Sequence, residues 1–420
     1  MKVLIIGGGL AGVTTAYFLR SRGYEVTVIE RQESSGRETS FANGALLTPS
    51  MPEPWNSPGS WRRLLGSFTR SDAALQLRLR ALPSLAGWGV RFLMNSKSDA
   101  FERNTLSNLR LALYSLGLMQ ALSRQTGIEY DRSATGILKV FRDAGALDRA
   151  VARADYLARE GLSFGKLSSS EVVATEPALA PIASKLAGGI HYNVDETGDA
   201  YRFCTALAEY ARQQGVEFRF RTEVVSLKIR SGRVTAAVTR QERFAADHYV
   251  VTACSYSTPL LRTAGIHLPV RPAKGYSLTF DRPPPDAALR IPVVDDTLHA
   301  AVVRLGSVLR VAGTAEFAGY DLAISPVRVQ CLLNLARQVL PQARLDPTTA
   351  RPWCGLRAMS ADGVPLIGRT PVSNLLVNTG HGHLGWTMAA GSAQLITNLL
   401  SNESPSLDPE AYNPQRFALT

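Results

Sequence analysis

Several things are missing from this 420-residue chain, and each absence narrows what it can be. No run of eighteen apolar residues occurs, so no transmembrane helix is expected. Cysteine is scarce: Cys204, Cys254, Cys331 and Cys354 lie far apart, with no C-x-x-C pair. That spacing argues against a disulfide framework or structural zinc and fits a reducing compartment, so a cytoplasmic location is expected. His381 and His383 form an i, i+2 pair without a nearby acidic or cysteine partner, which is too few ligands for a closed metal site. No helix-turn-helix, zinc-finger or aromatic-basic RNA signature is present, so nucleic acid is not an expected partner. No internal repeat of fixed period emerges.

What is present describes an ordinary globular protein: 45% hydrophobic and 19% charged residues exclude the disordered and fibrous classes. At this length two domains are expected. The formal charge of +11 suits an anionic surface. Surface cations at an acidic bilayer contribute about 1 kcal/mol each, so peripheral contact with the inner face of the cell membrane is a further expectation.

The strongest local signal is "KVLIIGGGLAGVTTAYFLRSRGYEVTVIER". Residues 3–6 read as a buried strand, 11–22 as a helix closed by Gly23, and 25–29 as a second strand. Gly7 permits the tight strand-to-helix turn, Gly9 the approach of a pyrophosphate, and Gly12 close packing of helix on strand. The helix N-terminus offers free N–H groups and a positive dipole end. Glu30, followed by Arg31, ends the second strand, where a carboxylate can accept from ribose hydroxyls. This pattern predicts a dinucleotide site and leaves FAD and NAD unseparated.

Residues 34–60 form a long Ser-, Gly-, Pro- and Asn-rich loop in which Ser40, Asn43 and Gly44 can bring donors to a cofactor. Two helical patterns follow over about 72–95 and 101–125, then a strand over 135–141. A helix over 199–214 and strands over 216–220, 223–229 and 247–254 resume the first pattern. Between 269 and 310 strands succeed one another without helices, which implies an antiparallel sheet. A helix over 326–340 and a final strand, glycine turn and helix close the chain. The predicted fold is α/β plus α+β. A Rossmann-type nucleotide domain is assembled from residues 1–50, 198–265 and 350–420, and an antiparallel-sheet substrate domain from 51–197 and 266–349.

The stretches "GGGLAGV", "ETSFANG", "EPALAP", "GGIHYNVDETGDAYRF", "CSYST", "KGYSLT", "GLRAMSADGVPLIGRT" and "NTGHGHLGWTMAAGSAQL" span nearly the whole chain in order. With them the chain resembles the FAD-dependent D-amino-acid dehydrogenases, within the wider D-amino-acid oxidase, glycine oxidase and sarcosine oxidase superfamily. The resemblance implies FAD, with its isoalloxazine ring between the domains. It places the loop from Ser40 to Leu46 along the flavin, the Val224 backbone on the adenine, and Arg357 on the substrate carboxylate. Tyr276 is a second expected substrate contact. The turn with Gly382, Leu384, Gly385, Trp386 and Thr387 is expected at the pyrimidine end, with a helix starting near Leu384 aimed at it. Some superfamily members link flavin to a cysteine near the position of Cys354. The register here is one residue off, so non-covalent FAD is expected. Cys254, Ala358 and His383 depart from the residues common at their positions, and His383 stands where relatives often carry threonine.

The implied reaction is oxidative deamination of a D-amino acid to a 2-oxo acid and ammonia by hydride transfer to flavin N5, with electrons passing to a quinone or another acceptor. The alternatives are an oxidase or dehydrogenase of a secondary amine or cyclic imino acid, such as sarcosine, glycine or D-proline, and a non-catalytic flavin-binding subunit. The presence of Arg357 argues against the last.

Overall fold

The computed structural model describes residues 1–59, 75–281 and 283–419. Three distant chain segments converge on one six-stranded sheet. Its order is Leu366–Arg369, Leu375–Thr379, His248–Val251, β1 (Lys2–Ile6), β2 (Glu25–Ile29) and Glu217–Arg219. All neighbours are parallel except the first pair. Continuous apolar runs suit these strands, because helices cover the sheet: residues 3–6 and 375–377 are all buried. Helix α1 (Leu10–Ser21) crosses from β1 to β2 and packs against Ala389–Ser401 and Ala200–Gln213. Asp199 starts the latter helix by accepting hydrogen bonds from the N–H groups of Tyr201 and Arg202, each at 2.9 Å.

The second sheet has nine strands. Residues 75–95 differ from the expected single helix, whose first positions, 72–74, lie outside the described residues. Leu75–Leu77 is a short strand, and α2 (Leu82–Met94) begins only with Pro83 in its first turn, where a missing N–H is tolerated. The sheet's central strands are β3 (Val270–Asp281) and β4 (Val308–Phe317), followed in the chain by α3 (Pro326–Val339) and the edge strand β5 (Ala350–Ser360). The expected antiparallel run is present from β3 to β4, and Leu75–Leu77 adds to β4 in parallel. β5, read from sequence with the nucleotide-binding segments, pairs along its length with β3.

Register decides what each strand shows to each side, because paired residues of antiparallel neighbours project to the same face. Tyr276 pairs with Cys354, and both pack in the core under α3 with Leu332 and Ala336. Ala273 pairs with Arg357, and Gly275 with Gly355, on the opposite face. There Ala273 and Met359 pack against Leu85, Trp88 and Phe92 of α2. A large cavity opens on this second face.

Candidate active site

The cavity, about 1730 Å³, runs from the β1–α1 turn to β5. At its nucleotide end the glycine spacing has a direct steric reason. A Cβ on Gly12 would lie 1.8 Å from the Gly7 carbonyl oxygen, and Gly7 itself has φ +113°. Gly7 and Gly9 line the cavity while Gly12 sits behind the turn. Gly9 caps α1 without a side-chain hydrogen bond, and no acidic residue occupies the first turn, so the positive helix end stays available to an anion.

Glu30 lines the cavity and is buried, its carboxylate accepting from Gly8 N–H and Gln32 N–H at 2.7 Å each. Burial pushes its pKa above the ordinary value, against the pull of those two donors. Arg31 is engaged by protein: it pairs with Glu38 and lies 3.7 Å over the Tyr256 ring. Val224 borders the same end, and its backbone N–H has no partner among the described residues.

The middle of the cavity is walled by Ser40, Asn43, Gly44 and Leu46. Ser40 Oγ accepts from Leu10 N–H at 3.4 Å, and Asn43 Oδ1 accepts from Ala45 N–H at 3.0 Å, a turn in which Ala45 takes φ +61°. Ser277 Oγ donates to the Ala42 carbonyl at 2.6 Å and fastens this loop across the open face of β3. Opposite lies the turn after Leu375–Thr379. Gly382, Gly385 and Trp386 line the cavity, whereas Leu384 is buried in the core and Thr387 receives Thr48 N–H on its Oγ1 at 3.0 Å. The expected helix from near Leu384 is replaced by a 3-10 turn, Gly382–Leu384, and the α-helix starts only at Ala389. Gly382, at φ +59°, bends the backbone out of a straight helical entry. The backbone N–H groups of Trp386 and Thr387 are left unpaired among the described residues, and Trp386 lines the cavity, so a turn rather than a helix end borders this part of the site.

Arg357 is the chemical centre of the far end. Half-buried at the cavity wall, it has no ion pair or hydrogen bond among the described residues. Burial alone lowers its pKa to about 10, so it remains a cation at neutral pH. A Cβ on Gly275 would lie 2.5 Å from the guanidinium carbon, so glycine there makes room for it. Trp55 flanks the group at 5.8 Å and also stacks on His383, with ring centroids 6.0 Å apart and planes 22° apart. His383 Nε2 lies 3.1 Å from the Met51 carbonyl oxygen. His383 is open to the cavity, and desolvation by the surrounding walls together with the nearby Arg357 charge lowers its pKa. His381 lies 2.9 Å from Ser392 Oγ, so the two histidines have separate partners.

Tyr276 departs from the expected substrate contact. It borders the cavity, but its side chain is on the α3 face, away from Arg357, and its hydroxyl donates to Glu316 at 2.9 Å. Cys354 shares that face, its thiol donating to the Leu322 carbonyl at 3.2 Å, away from the face that carries Arg357.

The family model for FAD dependent oxidoreductases matches residues 2–399. The chain belongs to the FAD dependent oxidoreductase family. A protein named D-amino acid dehydrogenase from Paramagnetospirillum magneticum is 41% identical over 418 residues, covering 99% of each chain. The fold is shared with glycine oxidase from Geobacillus kaustophilus, at TM-score 0.78 and 23% identity over 99% of this chain and 98% of that one. L-proline dehydrogenase from P. horikoshii gives TM-score 0.78 at 19% identity over 99% and 97%.

FAD is the family's cofactor, and the residues here fit it. The glycine turn, the Glu30 carboxylate and Trp386, whose backbone N–H is unpaired among the described residues, line one elongated space. The buried Trp386 Nε1 and Asn378 Oδ1 at that space also lack partners among the described residues. Its volume exceeds the roughly 300–1,000 Å³ of ordinary small-ligand pockets, as a dinucleotide with a substrate beside it requires. Sequence reasoning missed Trp55, Met51 and Gly275. Trp55 was visible as an aromatic in a polar loop, but Gly275 becomes meaningful only once β3 and β5 are paired.

Proposed function

We propose that this chain oxidises D-amino acids to 2-oxo acids and ammonia and passes the electrons to a quinone or another acceptor. The observation that carries this reading is Arg357, a half-buried guanidinium with no counter-ion among the described residues, at the end of the cofactor groove. A planar fork of donors in such a place binds a carboxylate bidentately. The name of the full-length relative supports the D configuration.

Bound FAD supplies a two-electron acceptor that takes hydride at N5. Everything else falls to the protein's own groups. Arg357 holds the carboxylate and so fixes the α-carbon's distance from the loop at Ser40–Leu46. Trp55 and Trp353 wall the pocket and limit water, which strengthens the Arg357 contact. The unpaired N–H group of Trp386 stabilises negative charge at the pyrimidine end. The imino product is hydrolysed by water after release.

Peripheral contact with an anionic bilayer belongs to the same reading. The outer side of α2 leaves Val90, Leu93 and Met94 exposed at 59, 46 and 64%, while its inner side supplies Phe92 to the cavity wall. One helix thus separates the cavity from an apolar outer surface, where a membrane-dissolved acceptor would arrive.

Anaerobic mixing of the FAD-loaded protein with matched D- and L-amino acids tests the reading. Bleaching of the flavin by D-amino acids is expected. Bleaching by sarcosine or D-proline alone would move the substrate class to secondary amines, and hydrogen peroxide in step with turnover would make oxygen the acceptor. No bleaching by any D-amino acid would overturn the proposal.

A further inference from the structure

His383 does work that the carboxylate anchor does not account for. Its Nε2 lies 3.1 Å from the Met51 carbonyl oxygen, an atom that can only accept, so Nε2 carries the proton. Nδ1 is then a bare acceptor, and it has no partner among the described residues. The ring is held flat against Trp55, whose other neighbour is the Arg357 guanidinium. Charged groups around it leave this state undisturbed: Arg357 disfavours a second cation, and Glu53 at the cavity wall is tied to Arg153 at 3.2 Å. The site therefore sets a permanent donor, Arg357, beside a fixed neutral acceptor. An α-amino acid presents the complement: a carboxylate and, one carbon away, a neutral amine with N–H donors.

We infer that His383 Nδ1 accepts a hydrogen bond from the substrate's α-amino group, making His383 the residue that distinguishes amine-bearing ligands from plain carboxylates. This rests on the D-amino-acid reading above. The ring serves as an acceptor and orients the amine lone pair; it takes up no proton, so no proton balance changes at this step.

Two substitutions separate acceptor from packing. His383→Phe keeps a flat ring for Trp55 and removes both nitrogens. His383→Asn gives up the ring but puts a carbonyl oxygen near the place of Nδ1. The readouts are dissociation constants in the FAD-loaded enzyme: D-alanine from anaerobic rapid mixing, and propionate from the change in flavin absorbance. His383→Phe should weaken D-alanine about tenfold and leave propionate within about twofold, while His383→Asn should recover most of the D-alanine loss. Above pH 5 the shape of the pH profile should be the same in all three proteins, because the ring is neutral there. Equal weakening of both ligands, or His383→Asn as impaired as His383→Phe, would show a packing role and overturn the inference. Normal reduction of the wild type with an unchanged His383→Phe variant would overturn this inference alone. A wild type that no D-amino acid reduces would overturn the parent reading and this one with it.

Discussion

At the scale of single residues, Arg357 sets stability against function. A half-buried cation with no counter-ion among the described residues carries a desolvation cost that no ion pair offsets, and an apolar side chain of similar volume removes that cost. Arg357→Met should therefore raise the melting temperature of the apoprotein by about 2 °C, while kcat/KM falls about a hundredfold or more and FAD is retained. A lower melting temperature measured by calorimetry would speak against a strained, waiting cation. Burial lowers the guanidinium pKa without removing its charge, so carboxylate affinity at this group should not titrate across the neutral range. The arginine was legible in the sequence through its motif. Tyr276 was not correctly legible, because a one-residue difference in strand register moves a side chain to the other face, and only the pairing with Cys354 shows which face it takes.

At the scale of elements, the segment that carries Met51 and Trp55 depends on a buried carboxyl. Asp195 accepts from Ser50 N–H at 3.2 Å and from the Ser50 hydroxyl, and burial raises its pKa to about 7. A carboxyl whose folded pKa lies above its unfolded value binds more protons when folded. Its contribution is complete below about pH 4 and is lost as pH rises through about 7. The melting temperature of the wild type should thus decline between pH 5 and 8 relative to Asp195→Asn, which cannot ionise; parallel curves for the two proteins would refute this. The sequence showed the loop but not its fastening, since Ser50 and Asp195 are joined only in space. Helix limits were misread for a similar reason. The 75–77 segment follows the free edge of β4 rather than its own helical periodicity, and the chain after Gly382 spends six residues in turns before Ala389.

At the scale of the whole molecule, the alternation of apolar strand and helix was enough to foresee a nucleotide sheet built from separated pieces. The side on which β5 would settle depended on which half offered it an edge. The proposed membrane contact rests on the net charge of +11 and the exposed apolar side of α2. Sedimentation with phosphatidylserine vesicles at low salt should exceed that with phosphatidylcholine, and a Leu93→Ser, Met94→Ser pair should reduce it without altering flavin reduction by soluble substrate; equal sedimentation of wild type and variant would remove α2 from the contact. β5 has one more consequence. It holds Arg357 in the substrate sheet and then runs, within twenty-five residues, through two strands of the nucleotide sheet to the turn at Gly382–Leu384. Arg357, the proposed carboxylate anchor, and the turn proposed to border the flavin are thus joined by one short stretch of chain. Exchanging residues 350–388 with those of a relative would move both together.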